Sequence, residues 1–376
     1  MRRALLLSGS LGAGHDVHAR ACAAALAARG WSAEILDAMR LLGPRGGSAG
    51  EAVFRSMLAV PGLYDAFHFA ALRPGSRLAL LADAAARRQL VPRLCAYLDS
   101  HPADLAISVF ATGSSAVSAL ADRYPGMSHA VLCSDVTPHR LWVHPHVDLY
   151  LVTSAAAEAA VRRYAPQARV QVIPSPVRPD FYDPPSQEQA RASIGLPGQD
   201  RAVLLMSGAW GLGPLAEAAA ALADAGVQVL AVAGRNAGLE NRLREAARRR
   251  PRMYVFGYTE HIPALMAAAD LVITSSGDTC AEARTVGRPL LLLDVVQGHG
   301  RDNLQHELEL GDAAVTSPHP DDVVRGALAA LERAKPPSVS GLRPTGWQDA
   351  FAAALESIGL DANCHPGPAA SAGQGG

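Results

Sequence analysis

Lysine is nearly absent: Lys335, in LERAKPP, is the only one in 376 residues. No G-K-[ST] Walker loop can therefore exist, which excludes P-loop nucleotide hydrolysis. Cysteine is sparse as well. Cys22, Cys95, Cys133, Cys280 and Cys364 are far apart and form no C-x-x-C pair, so neither a zinc knuckle nor a disulfide framework is indicated and a reducing cytosol fits. Charge is low: 18% of residues are ionic and the net charge is -1, which marks neither a disordered tail nor a nucleic-acid binder. Long apolar runs are missing too. MRRALLLSG is broken by Ser8 and Gly9 too early for a signal peptide, and no stretch approaches the roughly 18 apolar residues of a membrane span. The expectation is a cytoplasmic protein, soluble or peripheral on the inner face of the cell membrane.

About half of the residues are hydrophobic, at 49%, and they fall in a regular order. ALLLSG, HARACAAALAARG and SAEILDAM read as strand, alanine-rich helix closed by Gly30, and strand. The alternation continues through DLAISVF, HAVLCSD, VDLYLVTS and VQVIPS, as a parallel sheet requires. After the proline-rich PVRPDFYDPPS, which reads as a stiff linker, it restarts with RAVLLMSG, GVQVLAVAG, RMYVFGYT, DLVITSS and RPLLLLD. The chain is thus expected to be α/β with two doubly wound halves. The boundaries predicted are residues 1–177, a linker at 178–200, a second domain at 201–340, an amphipathic helix at 346–359 and a disordered tail at 361–376.

Each half opens with a glycine loop, LLLSGSLGAGH with Gly9, Gly12 and Gly14, and VLLMSGAWGLG with Gly208, Gly211 and Gly213. A strand that turns through glycines into a helix offers free N–H groups and a positive dipole end to a diphosphate. Asp37, near the end of the second strand, is placed to read a ribose, so an NAD-dependent oxidoreductase is one reading. His15 would crowd a pyrophosphate, however, and a dinucleotide enzyme gives no reason for the second loop. The other reading gives diphosphate to the second loop and lets the first present His15 to an acceptor hydroxyl. An imidazole, with a pKa near neutrality, suits that proton transfer; a histidine that merely caps a helix is the plain alternative.

Several ordered motifs carry a resemblance. LLMSGAWGLGPL, VLAVAGRNAGLENRL and VFGYTEHIPALMAAADLVITSSGDTCAEARTVGRPLLLLD, with SGSLGAGHDVHARA, CSDVTPHRLWVHPHVDLYLVTS and PVRPDF in the first half, resemble the monogalactosyldiacylglycerol synthase and processive diacylglycerol glycosyltransferase family. That family is similar in turn to the peptidoglycan lipid-intermediate GlcNAc transferase. The resemblance implies a GT-B fold: two Rossmann-like domains facing across a cleft, with nucleotide on the C-terminal one and acceptor on the N-terminal one.

The same resemblance implies residue roles. Glu282 is expected to accept the ribose hydroxyls, and Tyr258, Thr259, His261 and Ile262 to flank the uracil. Gly208, Ala209, Gly211 and Gly213 with Ser276, Gly277, Asp278 and Thr279 would hold the diphosphate. His299 and Asn303 would face the sugar, although the family usually has Gln-Glu where His299 and Gly300 stand, which leaves the sugar open. Asn236 reads as either a cleft residue or a helix cap. Gly12, Gly14, Trp142 and His144 fall on the acceptor side, with Asp135 a partner of His15 or an alternative base. Asp135, His139, His144, His146 and Asp148 also admit a metal site, but H-P-H is a poor preformed geometry and the family needs no metal there; none is expected. At ISVFATGSS, Phe110, Ala111 and Thr112 replace the family's His-Pro, which leaves the acceptor open.

The segment at 51–90 mixes Phe54, Met57, Leu58, Leu63, Phe67, Phe69 and Leu72 with Arg55, Arg73 and Arg77, and Arg45 just precedes it. It reads as a packed helical pair or as an interfacial patch for an anionic membrane surface. The function expected is an inverting transfer of a hexose from a UDP-sugar, with no cofactor beyond that donor, to a hydroxyl acceptor such as diacylglycerol. A nucleotide-sugar epimerase of the same fold, a non-catalytic sugar-nucleotide binding protein and an NAD-dependent oxidoreductase stand as alternatives.

Overall fold

The computed structural model describes residues 1–9, 14–42, 76–198, 200–207, 213–295, 299–333 and 346–360. The strands are β1 Arg3–Ser8, β2 Ser32–Asp37, β3 Leu105–Ser108, β4 Ser128–Cys133, β5 Leu149–Val152, β6 Val170–Val172, β7 Ala202–Leu205, β8 Gln228–Val232, β9 Met253–Phe256, β10 Leu271–Ser275, β11 Leu290–Leu293 and β12 Ala313–Thr316. The helices are α1 Gly14–Ala27, α2 Ala38–Leu41, α3 Arg77–Ser100, α4 Ala111–Ser118, α5 Ala155–Tyr164, α6 Gln187–Ser193, α7 Leu215–Asp224, α8 Ala237–Ala247, α9 Ile262–Ala268, α10 Asp278–Thr285, α11 His299–Glu309, α12 Pro320–Arg333 and α13 Trp347–Glu356.

The strands form two six-stranded parallel sheets, β2-β1-β3-β4-β5-β6 and β12-β11-β10-β7-β8-β9. Uninterrupted runs such as LAIS, LYLV, AVLL and LLLL are buried at every position, because helices cover both faces of each sheet. One face of the second sheet packs on α7 and α12 through Leu215, Leu222, Val323 and Leu331. The other packs on α9 through Leu265 and Met266. Each fully buried Leu or Val contributes about 1.5–3 kcal/mol.

In both sheets the order reverses beside the first strand, between β1 and β3 and between β7 and β10. Gly9 and Ser207, the last described residues after β1 and β7, stand at these reversals, where open α/β sheets bind ligands. Side chains also tie neighbouring strands. Ser207 Oγ donates to Ser275 Oγ at 3.2 Å, joining the ends of β7 and β10, and Ser108 Oγ and His129 Nε2, 3.1 Å apart, join β3 to β4.

Three segments differ from the sequence reading. Residues 178–200 are not a bare linker: Phe181 is wholly buried in the core of the second sheet, and Arg191 on α6 pairs with Asp270 at 2.9 Å. The C-terminal helix is shorter than expected and returns to the first sheet. Trp347, Phe351 and Leu355 fill the core with Leu6, Leu132 and Leu151, and Trp347 Nε1 donates to the Val177 carbonyl at 3.0 Å. The strand at Ala313–Thr316 was not anticipated. Residues 43–75, which include Arg45, Phe54, Arg55, Met57, Leu58, Leu63, Phe67, Phe69, Leu72 and Arg73, lie outside the described residues, as does 361–376. No helix of the described residues is long and apolar enough to cross a membrane.

Candidate functional site

The first half of the site is built on β1 and α1. Gly9 follows β1, and a Cβ there would stand 2.6 Å from the Phe110 ring, so a larger residue would push that ring aside. Ser8 Oγ then donates to Asp16 Oδ1, fixing the start of α1 against the strand, and Asp16 also suits the positive end of the helix dipole.

His15 is the second residue of α1 and is half-buried. Its ring meets Phe110 edge-on at 5.2 Å and lies 6.3 Å from Trp142, and its Nδ1 is buried without a hydrogen-bond partner. Burial pulls the imidazole below its ordinary value, with Asp135 and Asp278 opposing and His18 reinforcing. Asp135 accepts from Trp142 Nε1 at 2.8 Å, so the tryptophan links the two candidate catalytic residues. His144 holds its own loop: its Nε2 lies 2.7 Å from the Leu141 carbonyl and its amide donates to the Tyr150 hydroxyl at 3.0 Å.

The second half is built on β10 and α10. Gly277 precedes the helix with no side-chain cap, and a Cβ on it would meet nothing within 4 Å, so the helix start borders open space. Ser276 Oγ donates to the Gly300 carbonyl at 3.0 Å, holding α11 beside α10. On the far side, Arg284 binds Glu307 and Asp312, both at 2.6 Å. Glu282, one turn into α10, is only 8% exposed. Burial and the neighbouring Asp278 and Asp180 raise its carboxyl to about 8, against the pull of Arg178. Asn303 on α11 has a buried Oδ1 with no hydrogen-bond partner, and His299 opens that helix.

The halves meet at Asp278. A Cβ on Gly14 would stand 2.7 Å from Asp278 Oδ2, and His18 Nε2 lies 3.1 Å from Asp278 Oδ1. His18 is buried at 1% exposure. Burial alone would lower its pKa, but the charge and proximity of Asp278, helped by Asp135, raise it above the ordinary value. His18 was missed from sequence; its i, i+3 spacing from His15, which puts both rings on one helix face, is the signal that was available.

Among the other residues singled out, Asn236 caps α8, its Oδ1 accepting from Leu239 N at 2.9 Å. Thr259 Oγ1 accepts from His261 N at 3.1 Å, Ile262 opens α9, and Tyr258 is exposed with the Arg235 guanidinium 4.7 Å from its ring centre. Gly213 has a left-handed backbone at φ 90°, and Thr279 is the second residue of α10. Asp37 caps α2 by accepting from Met39 N and Arg40 N, which occupies the carboxylate that a dinucleotide ribose would need. Gly12, Gly208, Ala209 and Gly211 lie outside the described residues.

Two doubly wound parallel sheets, each with its strand order reversing beside its first strand, and the meeting of α1 with α10 at Asp278 define the GT-B fold. Residues 212–323 match the family model described as Glycosyltransferase family 28 C-terminal domain. The chain is 32% identical over 201 residues to a probable monogalactosyldiacylglycerol synthase of Glycine max, covering 50% of this chain and 38% of that protein. It is 31% identical over 195 residues to a processive diacylglycerol beta-glucosyltransferase of Bacillus pumilus, covering 50% of each. The chain thus spans half or less of these relatives' length. In structure it is similar to Phytolacca americana UGT2, solved with UDP-2fluoro-glucose and pterostilbene, at a TM-score of 0.61 and 10% identity over 96% of this chain and 100% of that one.

Proposed function

We propose that the chain is an inverting glycosyltransferase that moves a hexose from a UDP-sugar to a hydroxyl, with a lipid such as diacylglycerol as acceptor. The observation that carries this reading is the meeting of α1 and α10 at Asp278, which brings the start of the helix that carries His15 to an uncapped helix start of the other sheet. The acceptor oxygen bonds to the anomeric carbon as the bond from that carbon to the diphosphate oxygen breaks. The hydroxyl proton passes to His15, and UDP leaves with the bonding pair.

The lowered pKa of His15 supports its role, because a base must be neutral at working pH. Helix-start N–H groups around Ser276 to Thr279 would stabilise the charge growing on UDP, with Gly208 to Gly213 from the other loop and no metal ion. Glu282 would take the ribose hydroxyls, and His299 and Asn303 would face the sugar. A lipid acceptor requires docking at a membrane surface, for which the arginine-bearing apolar segment at 51–90 supplies the composition, and the enzyme would work from the cytoplasmic side.

The test is purified protein with a panel of UDP-sugars, with and without diacylglycerol vesicles, following nucleotide release and lipid product. Release that requires vesicles supports the proposal. Conversion of the donor without any acceptor would show an epimerase instead.

A further inference from the structure

We infer that His18 is a positioning residue for the donor end of the site: by pairing with Asp278 it neutralises a carboxylate standing at the α10 helix start, so that a nucleoside-diphosphate sugar can bring its own negative charges there. The inference rests on the proposed reading of that helix start as the diphosphate site. It concerns a residue with no place in the transfer chemistry itself.

The geometry poses the problem first. A helix start attracts anions through its free N–H groups and its dipole. At α10, however, the first residue is itself an acid, and no side chain caps the helix. The Asp278 side chain is 30% exposed and borders the open space beside Gly277. A diphosphate arriving at those N–H groups would face this carboxylate at short range, where two like charges near a protein surface repel several-fold more than in bulk water. An uncompensated Asp278 would therefore oppose the ligand that the helix start favours.

His18 is placed to remove that opposition. It reaches Asp278 Oδ1 at 3.1 Å from the other sheet's first helix. It is itself almost fully buried, so the pairing is poorly screened by solvent. The close approach of Gly14 to Asp278 Oδ2, where a Cβ would stand at 2.7 Å, holds the carboxylate against α1. The groups that act on His18 are Asp278 from α10, Asp135 from the segment after β4, and His15 one turn earlier on its own helix. Two carboxylates thus face two imidazoles. Negative charge added by a ligand favours the protonated form of an imidazole nearby, and His18 already sits above its ordinary pKa. Donor binding is therefore coupled to proton uptake at His18.

The experiment is calorimetric titration of UDP-glucose, whose diphosphate keeps its charge through neutral pH, into the full chain from pH 6 to pH 8, using the unchanged protein, His18→Asn and Asp278→Asn. The unchanged protein is expected to bind about tenfold tighter at pH 6 than at pH 8, as one linked proton allows. Both variants are expected to lose that slope, His18→Asn binding more weakly at pH 6 and Asp278→Asn binding at pH 8 no more weakly than the unchanged protein. A packing role alone would weaken binding equally at every pH and leave the slope in place. Asp278→Asn changes the more exposed partner, so it tests the pair even if His18→Asn fails to fold. A slope that is absent from the unchanged protein, or that survives in Asp278→Asn, overturns the inference while leaving the transferase reading intact. An unchanged protein that binds no UDP-glucose at any pH overturns both.

Discussion

His18 Nε2 stands 3.1 Å from Asp278 Oδ1, so a histidine of the first sheet's first helix pairs with an aspartate at a helix start of the second. Because the pair spans the two sheets, its strength is a measure of how firmly they are held together. The folded pKa of His18 is raised, above an unfolded value of about 6.5. The stability it contributes is therefore fully present below about pH 6.5 and is lost as pH rises through the folded value. Asp278→Asn is expected to lower the thermal midpoint most near pH 6 and progressively less toward pH 9. Scanning calorimetry of both proteins across that range checks it, and a difference that is flat or grows with pH contradicts it.

Glu282 carries the opposite cost. Its folded pKa of about 8 lies above the ordinary carboxylate range because the charged form is buried. Its linked stability is present below the unfolded value, about 4.3, and is lost as pH rises through about 8. Glu282→Gln is expected to raise the thermal midpoint of the ligand-free protein at pH 8.5. At pH 8.5, where most of Glu282 is ionised, the same change is expected to weaken UDP binding by about tenfold or more, since a hydrogen bond to a charged group contributes about 1.5–3 kcal/mol. A thermal scan and a UDP titration on one preparation check both directions.

Trp347 tests the return of the chain to the first sheet. It is 1% exposed, its Nε1 donates to the Val177 carbonyl, and its ring lies 5.8 Å from that of Phe351. Trp347→Ala is expected to cost about 3–5 kcal/mol, as large-to-small changes at buried aromatics do. Urea unfolding measures the loss, and a cost below about 1 kcal/mol would mean that the helix does not anchor the core.

The sheets were legible because parallel strands buried on both faces leave continuous apolar runs, as ALLL and LLLL do. The edge strand AAVT was not: only Thr316 in it is buried, and four residues with two alanines carry no period. PVRPDF reads as a linker because proline is a local signal, whereas the burial of Phe181 depends on the distant sheet it packs on. His15 could be found from its place after a glycine loop. His18 lies on an alanine-rich helix like any core histidine, and its meaning comes from Asp278, which the chain supplies only in the other sheet.

The pH profile of turnover follows from His15. Burial lowers its pKa, so the imidazole stays neutral at physiological pH and down past about 6.5. With the proposed acceptor in vesicles, kcat is expected to stay level from pH 8 to pH 6.5 and to fall only at more acid values. An acid limb centred above pH 7 in the unchanged protein contradicts that assignment.

The most direct test of the whole account is His15→Ala, assayed for hexose transfer and for UDP affinity on one preparation. General-base catalysis supplies about 100-fold or more, so kcat is expected to fall by at least that factor while the UDP dissociation constant stays within about twofold. Turnover equal to that of the unchanged protein would contradict the account.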